Sequence, residues 1–213
     1  MTGNRRPPTL GEEVANSIAH GIGAALSIAG LVAIVAVAAR HRPASQIVAC
    51  AIYGTSLVLL YISSTIYHAL PNNRAKRVFK ILDHSSIYIL IAGTYTPFTV
   101  ITLRGPWGWT LFGVVWGLCV CGVVFKSLWI DRLKVASTVV YLLMGWCAAL
   151  AVRPLLEALP WTGFVWLLAG GLCYTAGVAF YVNSSRFAHF IWHLFVLAGS
   201  SCHYWVVFRY VIR

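Results

Sequence analysis

The chain has 213 residues, of which 60% are hydrophobic and only 10% charged, where an ordinary soluble domain carries about 25% charged residues. A soluble fold of this length has too little interior to hide so much apolar surface, so lipid must be its solvent. The 16 Lys and Arg against 5 Asp and Glu, a net charge of +11, then punctuate membrane spans and do not form a nucleic-acid surface.

The chain does not open on the basic, apolar and small-residue series of a cleaved signal, so its first apolar stretch is read as a retained span. Cutting at charges, prolines and turn residues leaves seven segments near the length of about 20 residues that a bilayer requires. They fall at about 14–39, 46–70, 81–103, 107–125, 135–152, 161–182 and 187–208. The connections are short, so neighbouring helices are antiparallel and residues 1–213 form one all-α domain, a seven-helix transmembrane bundle.

Orientation follows from the Lys and Arg on each side. An N-terminus in the cytoplasm puts ten inside: Arg5, Arg6, Arg74, Lys76, Arg77, Lys80, Lys126, Arg132, Lys134 and Arg186. Six remain outside, Arg40, Arg42, Arg104, Arg153, Arg209 and Arg213, so the expected topology is N-in and C-out. The six Cys all lie in apolar stretches and read as small buried hydrophobes. Cys119 and Cys121 point about 200° apart on a helix and cannot share one ion. Trp107, Trp109, Trp129 and Trp161 stand near span ends as interfacial anchors.

Ionisable side chains inside spans are expensive and mark function by default. Here they are Glu13, His20, His68, Asp83, His84, His189, His193 and His203. His68 ends span 2, while His20, Asp83, His189 and His193 sit in the first turns of spans running the other way, so these residues share one depth. His189 and His193 are four apart, about 40° from one another and about 6 Å along the axis, a spacing that can bite one metal ion. Packing or hydrogen-bonding histidines are the alternative. His68 supplies a third imidazole, which makes a catalytic-type zinc shell with one position left open.

Asp83 would lie beside that open position as a base, or else serve as an N-terminal helix charge. Ser64, one turn before His68, faces the same cavity to hold water or a substrate carbonyl, or else bonds back to its own helix. Glu13, Asn16 and His20 form one polar stripe on span 1, lining the cavity mouth behind the ligands or hydrogen-bonding between helices. His84, turned about 100° from Asp83, reads as structural. His203 lies about 21 Å beyond His189 and about 15 Å past His193, so it faces the interior away from the ion.

Together these motifs carry a resemblance. Ser64-Thr65-Ile66-Tyr67-His68, then Leu82-Asp83-His84-Ser85 on a helix that ends Gly93-Thr94-Tyr95-Thr96-Pro97-Phe98, and the final His189-x-x-x-His193 with His203 beyond it, resemble the hemolysin III family. That family is the bacterial branch of the progestin and adiponectin receptor superfamily. The opening Glu13-x-x-Asn16-x-x-x-His20 resembles its first motif, and the likeness covers about residues 11 to 208. It implies a seven-helix protein of the bacterial inner membrane, with a zinc ion near the cytoplasmic side at His68, His189 and His193. The superfamily is similar to membrane alkaline ceramidases, which hydrolyse a lipid amide with the same Ser, His, Asp and His-x-x-x-His set. The long N-terminal region of adiponectin receptors is missing, so ligand-receptor signalling is not carried over.

The leading expectation is a zinc-dependent integral membrane hydrolase of lipid amides or esters, with membrane lipids as its partners. One rival is a structural zinc that ties spans 2, 3 and 7 together in a protein that senses or maintains membrane state. The other is a cytolytic or channel-like protein, which would need a continuous polar stripe through the bundle. The polar residues instead cluster at one end.

Overall fold

The computed structural model describes residues 6–212. Arg5 and Arg213, two of the charges counted for orientation, lie outside the described residues, as does the side chain of Lys134. Thr9 starts the first helix, α1 (Leu10–His41), through a capping box with Glu12, which satisfies amides that the first turn leaves without partners. Pro43 opens α2 (Ala44–Ala69). The Asn73 side chain accepts from the Lys76 amide and opens α3 (Arg74–Pro97). Pro97 has no amide to donate, and the helix widens beyond it into a π-helical stretch, Phe98–Leu103.

Arg104 and Gly105, both with positive φ, reverse the chain into α4 (Gly105–Trp129). The fifth span is broken: α5 (Lys134–Trp146) passes through a 3₁₀ stretch, Cys147–Ala151, into the short α6 (Val152–Ala158). Tyr95 of α3 bridges this break, donating to the Gly145 carbonyl at 2.6 Å and accepting from the Ala148 amide at 2.8 Å. Then come α7 (Trp161–Val182) and α8 (Ala188–Val206), the latter continuing as a π-helical Val207–Val211. Among the described residues seven helical spans are long and apolar enough to cross a membrane, and no strand is present.

Three segments differ from the expected cuts. α3 begins at Arg74, seven residues before the expected span, because Asn73 caps it and Lys76 and Lys80 in its first two turns pair with Glu13 and Asp131. Asp83 therefore sits about two and a half turns into a helix and not at its start. α4 runs on to Trp129, so Lys126, expected in a loop, is only 1% exposed. Residues 153–158, expected between spans, are helical as α6.

α1 packs on α2 and α8, α2 on α3, α3 on α4, and α7 on α8, while α5 touches α3 and α7 more lightly. The core joins Tyr53, Leu57 and Leu60 of α2 to Leu90 of α3 and Val196 and Val206 of α8. On α1 the large apolar residues Val14, Ile18, Ile22 and Leu26 face outward, while Asn16, His20 and Ser27 are buried. That reverses the pattern of a soluble helix, as expected where lipid is the solvent and buried backbone must be satisfied within helices. Cys50 and Cys119 are buried as expected, whereas Cys121 is on the outer surface. The four Trp read as anchors are exposed near helix ends.

Two glycines test this packing. A Cβ at Gly54 would drive into Leu31 of α1, backbone included, whereas Gly113 on α4 has open space around it. Gly54→Ala is expected to destabilise the purified protein by about 1–3 kcal/mol, and Gly113→Ala to be neutral or slightly stabilising. Unfolding in increasing SDS followed by circular dichroism measures both, and equal effects would contradict this packing.

Candidate metal centre

His68 lies in the last turn of α2, and His189 and His193 lie on the first two turns of α8. The four-residue step stacks the α8 pair on one face, and the antiparallel course of α2 brings its end to the same level. The three ring centroids form a near-regular triangle, with His189–His193 at 4.6 Å, His68–His193 at 5.0 Å and His68–His189 at 5.2 Å. One ring nitrogen from each lies within 4.8 Å of the others.

Two of the rings, His68 and His193, present nitrogens that suit a cation. His68 Nδ1 meets Glu13 Oε2 at 2.6 Å. A carboxylate only accepts, so in the neutral ring Nδ1 carries the hydrogen and Nε2 keeps its lone pair. That Nε2 is buried without a hydrogen-bond partner, and so is His193 Nδ1. Unpartnered buried nitrogens are costly, and a metal ion between them would satisfy both. His68, His189 and His193 are thus positioned to bind a metal ion, and Glu13 stands behind His68 in the manner of a carboxylate orienting a metal-bound imidazole.

The α1 residues Glu13, Asn16 and His20 all reach this end. Glu13 Oε1 accepts from Lys76 Nζ at 2.9 Å, and Lys76 also donates to the Leu70 carbonyl at 3.0 Å. The Asn16 amide lies 3.5 Å from His68 Nδ1. His20, 3% exposed, stacks on His193 with centroids 3.6 Å apart and planes within 13°, and meets the edge of Tyr61 at 5.1 Å.

A cavity of about 300 Å³ opens from this cluster. Asp83, Ser64, His20 and His84 line it beside His189 and His193, and its wall runs on to Phe98, Leu155 and Phe164. Along α3 and its π-helical extension the lining extends from Asp83 to Leu103, about 30 Å. The alternative for Ser64, a bond back to its own helix, is not made, since its buried Oγ has no partner. The alternative for Asp83, a charge at a helix start, falls with the earlier start of α3.

His84 behaves as a structural residue in part, donating from Nδ1 to the Lys80 carbonyl at 2.9 Å. It also lies 3.5 Å from Asp83 Oδ2 and lines the cavity, which the sequence reading did not anticipate. His203 stays away from the cluster, since α8 is unbroken between them, and its Nε2 donates to the Leu167 carbonyl at 3.0 Å. Lys76 and Glu12 also escaped the sequence reading. A lysine in the first turn of a helix entering the membrane looks like ordinary interfacial charge, and only its placement reveals the pairing with Glu13.

Comparison with known proteins agrees with this architecture. The sequence model of the family described as Haemolysin-III related matches residues 9–204. Hemolysin-3 of Bacillus cereus is 48% identical over 202 residues, covering 94% of this chain and 92% of the relative. The Hemolysin-3 homolog of Bacillus subtilis (strain 168) is 45% identical over 206 residues, covering 96% and 97%. Monocyte to macrophage differentiation factor of Homo sapiens is 31% identical over 219 aligned positions, covering 98% and 88%. No solved structure gives a significant match. Seven membrane-capable helices and these bacterial relatives fit an integral protein of the inner (plasma) membrane. With a match across nearly its whole length, the chain belongs to the Haemolysin-III related family.

Proposed function

We propose that the protein is a zinc-dependent hydrolase of membrane lipids, cleaving an amide or ester bond. The observation that carries this reading is one cavity that reaches His189 and His193 of the three-imidazole cluster, with the Asp83 carboxylate and the unpartnered Ser64 hydroxyl at the same end and a mostly apolar wall beyond. Three imidazoles are a donor set suited to zinc, which would take water as its fourth ligand. When bound, the ion would lower the pKa of water and polarise a carbonyl oxygen.

The chain's own groups supply the rest. The apolar wall holds an acyl chain and excludes water, leaving the carbonyl at the polar end. Ser64 Oγ–H donates to the carbonyl oxygen, and Asp83 takes a proton from the attacking water as its oxygen bonds to the carbonyl carbon. The bond to the leaving nitrogen or oxygen then breaks, and Asp83 returns the proton to it. Glu13 holds the His68 ring in the tautomer that leaves Nε2 free. The reading sets the site near the cytoplasmic face, with N-in and C-out topology supported by ten Lys and Arg on one side and six on the other. A zinc that only ties the second, third and seventh spans together is the rival reading, and the buried nitrogens of His68 and His193 favour it.

Zinc content tests the metal centre that both readings share, and lipid turnover divides them. The purified protein is expected to hold about one zinc per chain by elemental analysis. His68→Ala, His189→Ala and His193→Ala should each lose it while His203→Ala keeps it. Retention in any of the first three removes that residue from the site.

Asp83→Asn keeps the shape but loses the base, so zinc content should persist while lipid turnover falls about 10²–10⁴-fold. Liquid chromatography with mass spectrometry of membrane lipids incubated with each protein reads this out. No product that depends on both zinc and Asp83 across a broad amide and ester panel would rule out the hydrolase in favour of the structural ion.

A further inference from the structure

Glu12 has no part in the chemistry above, yet its carboxylate is 7% exposed by residue and bonded on both oxygens. Oε2 accepts from Arg6 Nη1 at 2.7 Å, from the Thr9 amide at 2.9 Å and from Thr9 Oγ1 at 2.9 Å. Oε1 accepts from Arg6 Nη2 at 2.6 Å and from the amide of Phe187 at 2.9 Å. A capping-box glutamate needs only its own helix start. The bond to Phe187 crosses 175 residues to the start of α8.

At that start the Ala188 amide donates to the Ser185 carbonyl at 3.2 Å, and Ala188 is buried. Phe187 is a non-glycine residue at φ 60°, and α8 has no side-chain cap there. His189 follows two residues later and His193 one turn after that. The neighbouring Glu13 holds His68 on α2. Successive residues on a helix point about 100° apart, so these two carboxylates of α1 reach in different directions. They grip the two helices that carry the three imidazoles.

We propose that Glu12 is a positioning residue for the metal centre. By accepting the Phe187 amide it sets the height and roll of α8, and so the distance of His189 and His193 from the His68 ring that Glu13 orients. The inference rests on reading the three imidazoles as a metal centre. A glutamate that merely caps α1 would add stability without affecting metal affinity.

The test uses the full chain in detergent micelles, with zinc affinity measured by competition against a chromophoric chelator and cobalt(II) absorption reporting ligand geometry. Glu12→Ala should weaken zinc binding about 10–100-fold, the usual effect of losing a partner behind a metal ligand, and alter the cobalt bands. Glu12→Gln, which keeps an oxygen for the Phe187 amide, should recover most of that loss. Arg42→Ala removes bonds to the Val211 and Ile212 carbonyls at the other end of the bundle, and should lower thermal stability with affinity unchanged. Wild-type affinity and cobalt bands in Glu12→Ala would overturn the proposal while leaving the metal centre standing. A wild-type chain that binds neither zinc nor cobalt would overturn both.

If Glu12→Ala does not fold, hydrogen exchange of the wild-type chain decides. Zinc loading should slow exchange in residues 6–13 and 183–189 together. Protection limited to one of these segments would overturn the proposal.

Discussion

A carboxylate inside an apolar bundle must find partners, and Glu13 finds the His68 ring at 2.6 Å and the Lys76 ammonium at 2.9 Å. Much of the polar end follows from that meeting. It ties α1 to the end of α2 and the start of α3, and it fixes which nitrogen of His68 faces the cluster. Removing one member of such a group strands the others, a loss of about 3–5 kcal/mol where an ion pair is buried. Around it Ser17 donates to the Thr65 carbonyl, His20 stacks on His193 and Glu12 takes the Phe187 amide. α1 contributes none of the three clustered imidazoles, yet its first turns touch every helix that does.

The polarity of the interior falls off along the bundle. At the α1 start it carries five histidines (His20, His68, His84, His189 and His193) with Glu12, Glu13, Asp83, Asn16 and Ser64. Farther along, the cavity is walled by Leu90, Phe98, Leu155 and Phe164. The irregular helices lie toward that apolar half. Pro97 widens α3, the fifth span breaks at Cys147–Ala151, and the Trp146 indole donates to Thr175 Oγ1 at 3.0 Å between α5 and α7. Such departures from α-helix are tolerated in lipid because neighbouring groups satisfy the freed backbone, as Tyr95 does for Gly145 and Ala148. A cavity graded in this way suits an occupant with one polar group and a long apolar part.

Seven spans were legible because membrane helices need length and apolarity, both of which can be counted along the chain. The cluster was legible for a related reason: an imidazole in an apolar span demands an explanation, and a four-residue step plus an antiparallel neighbour supplies one. What hydropathy missed were the ends of helices. The basic run Arg74–Lys80 looked like a loop, yet charges are compatible with helix where the chain leaves the lipid core. Moving that boundary carried Asp83 from the first turn into the third. The break in the fifth span was hidden because Gly145–Ala151 is as apolar as its flanks, and Glu12 because its distant partner is a backbone amide.

Zinc K-edge X-ray absorption of the zinc-loaded protein tests the central claim most directly. The account predicts about four light-atom ligands at about 2.0–2.1 Å, with the outer-shell scattering of three imidazoles. Sulfur at about 2.3 Å, or a shell of oxygen ligands without imidazole scattering, would contradict it.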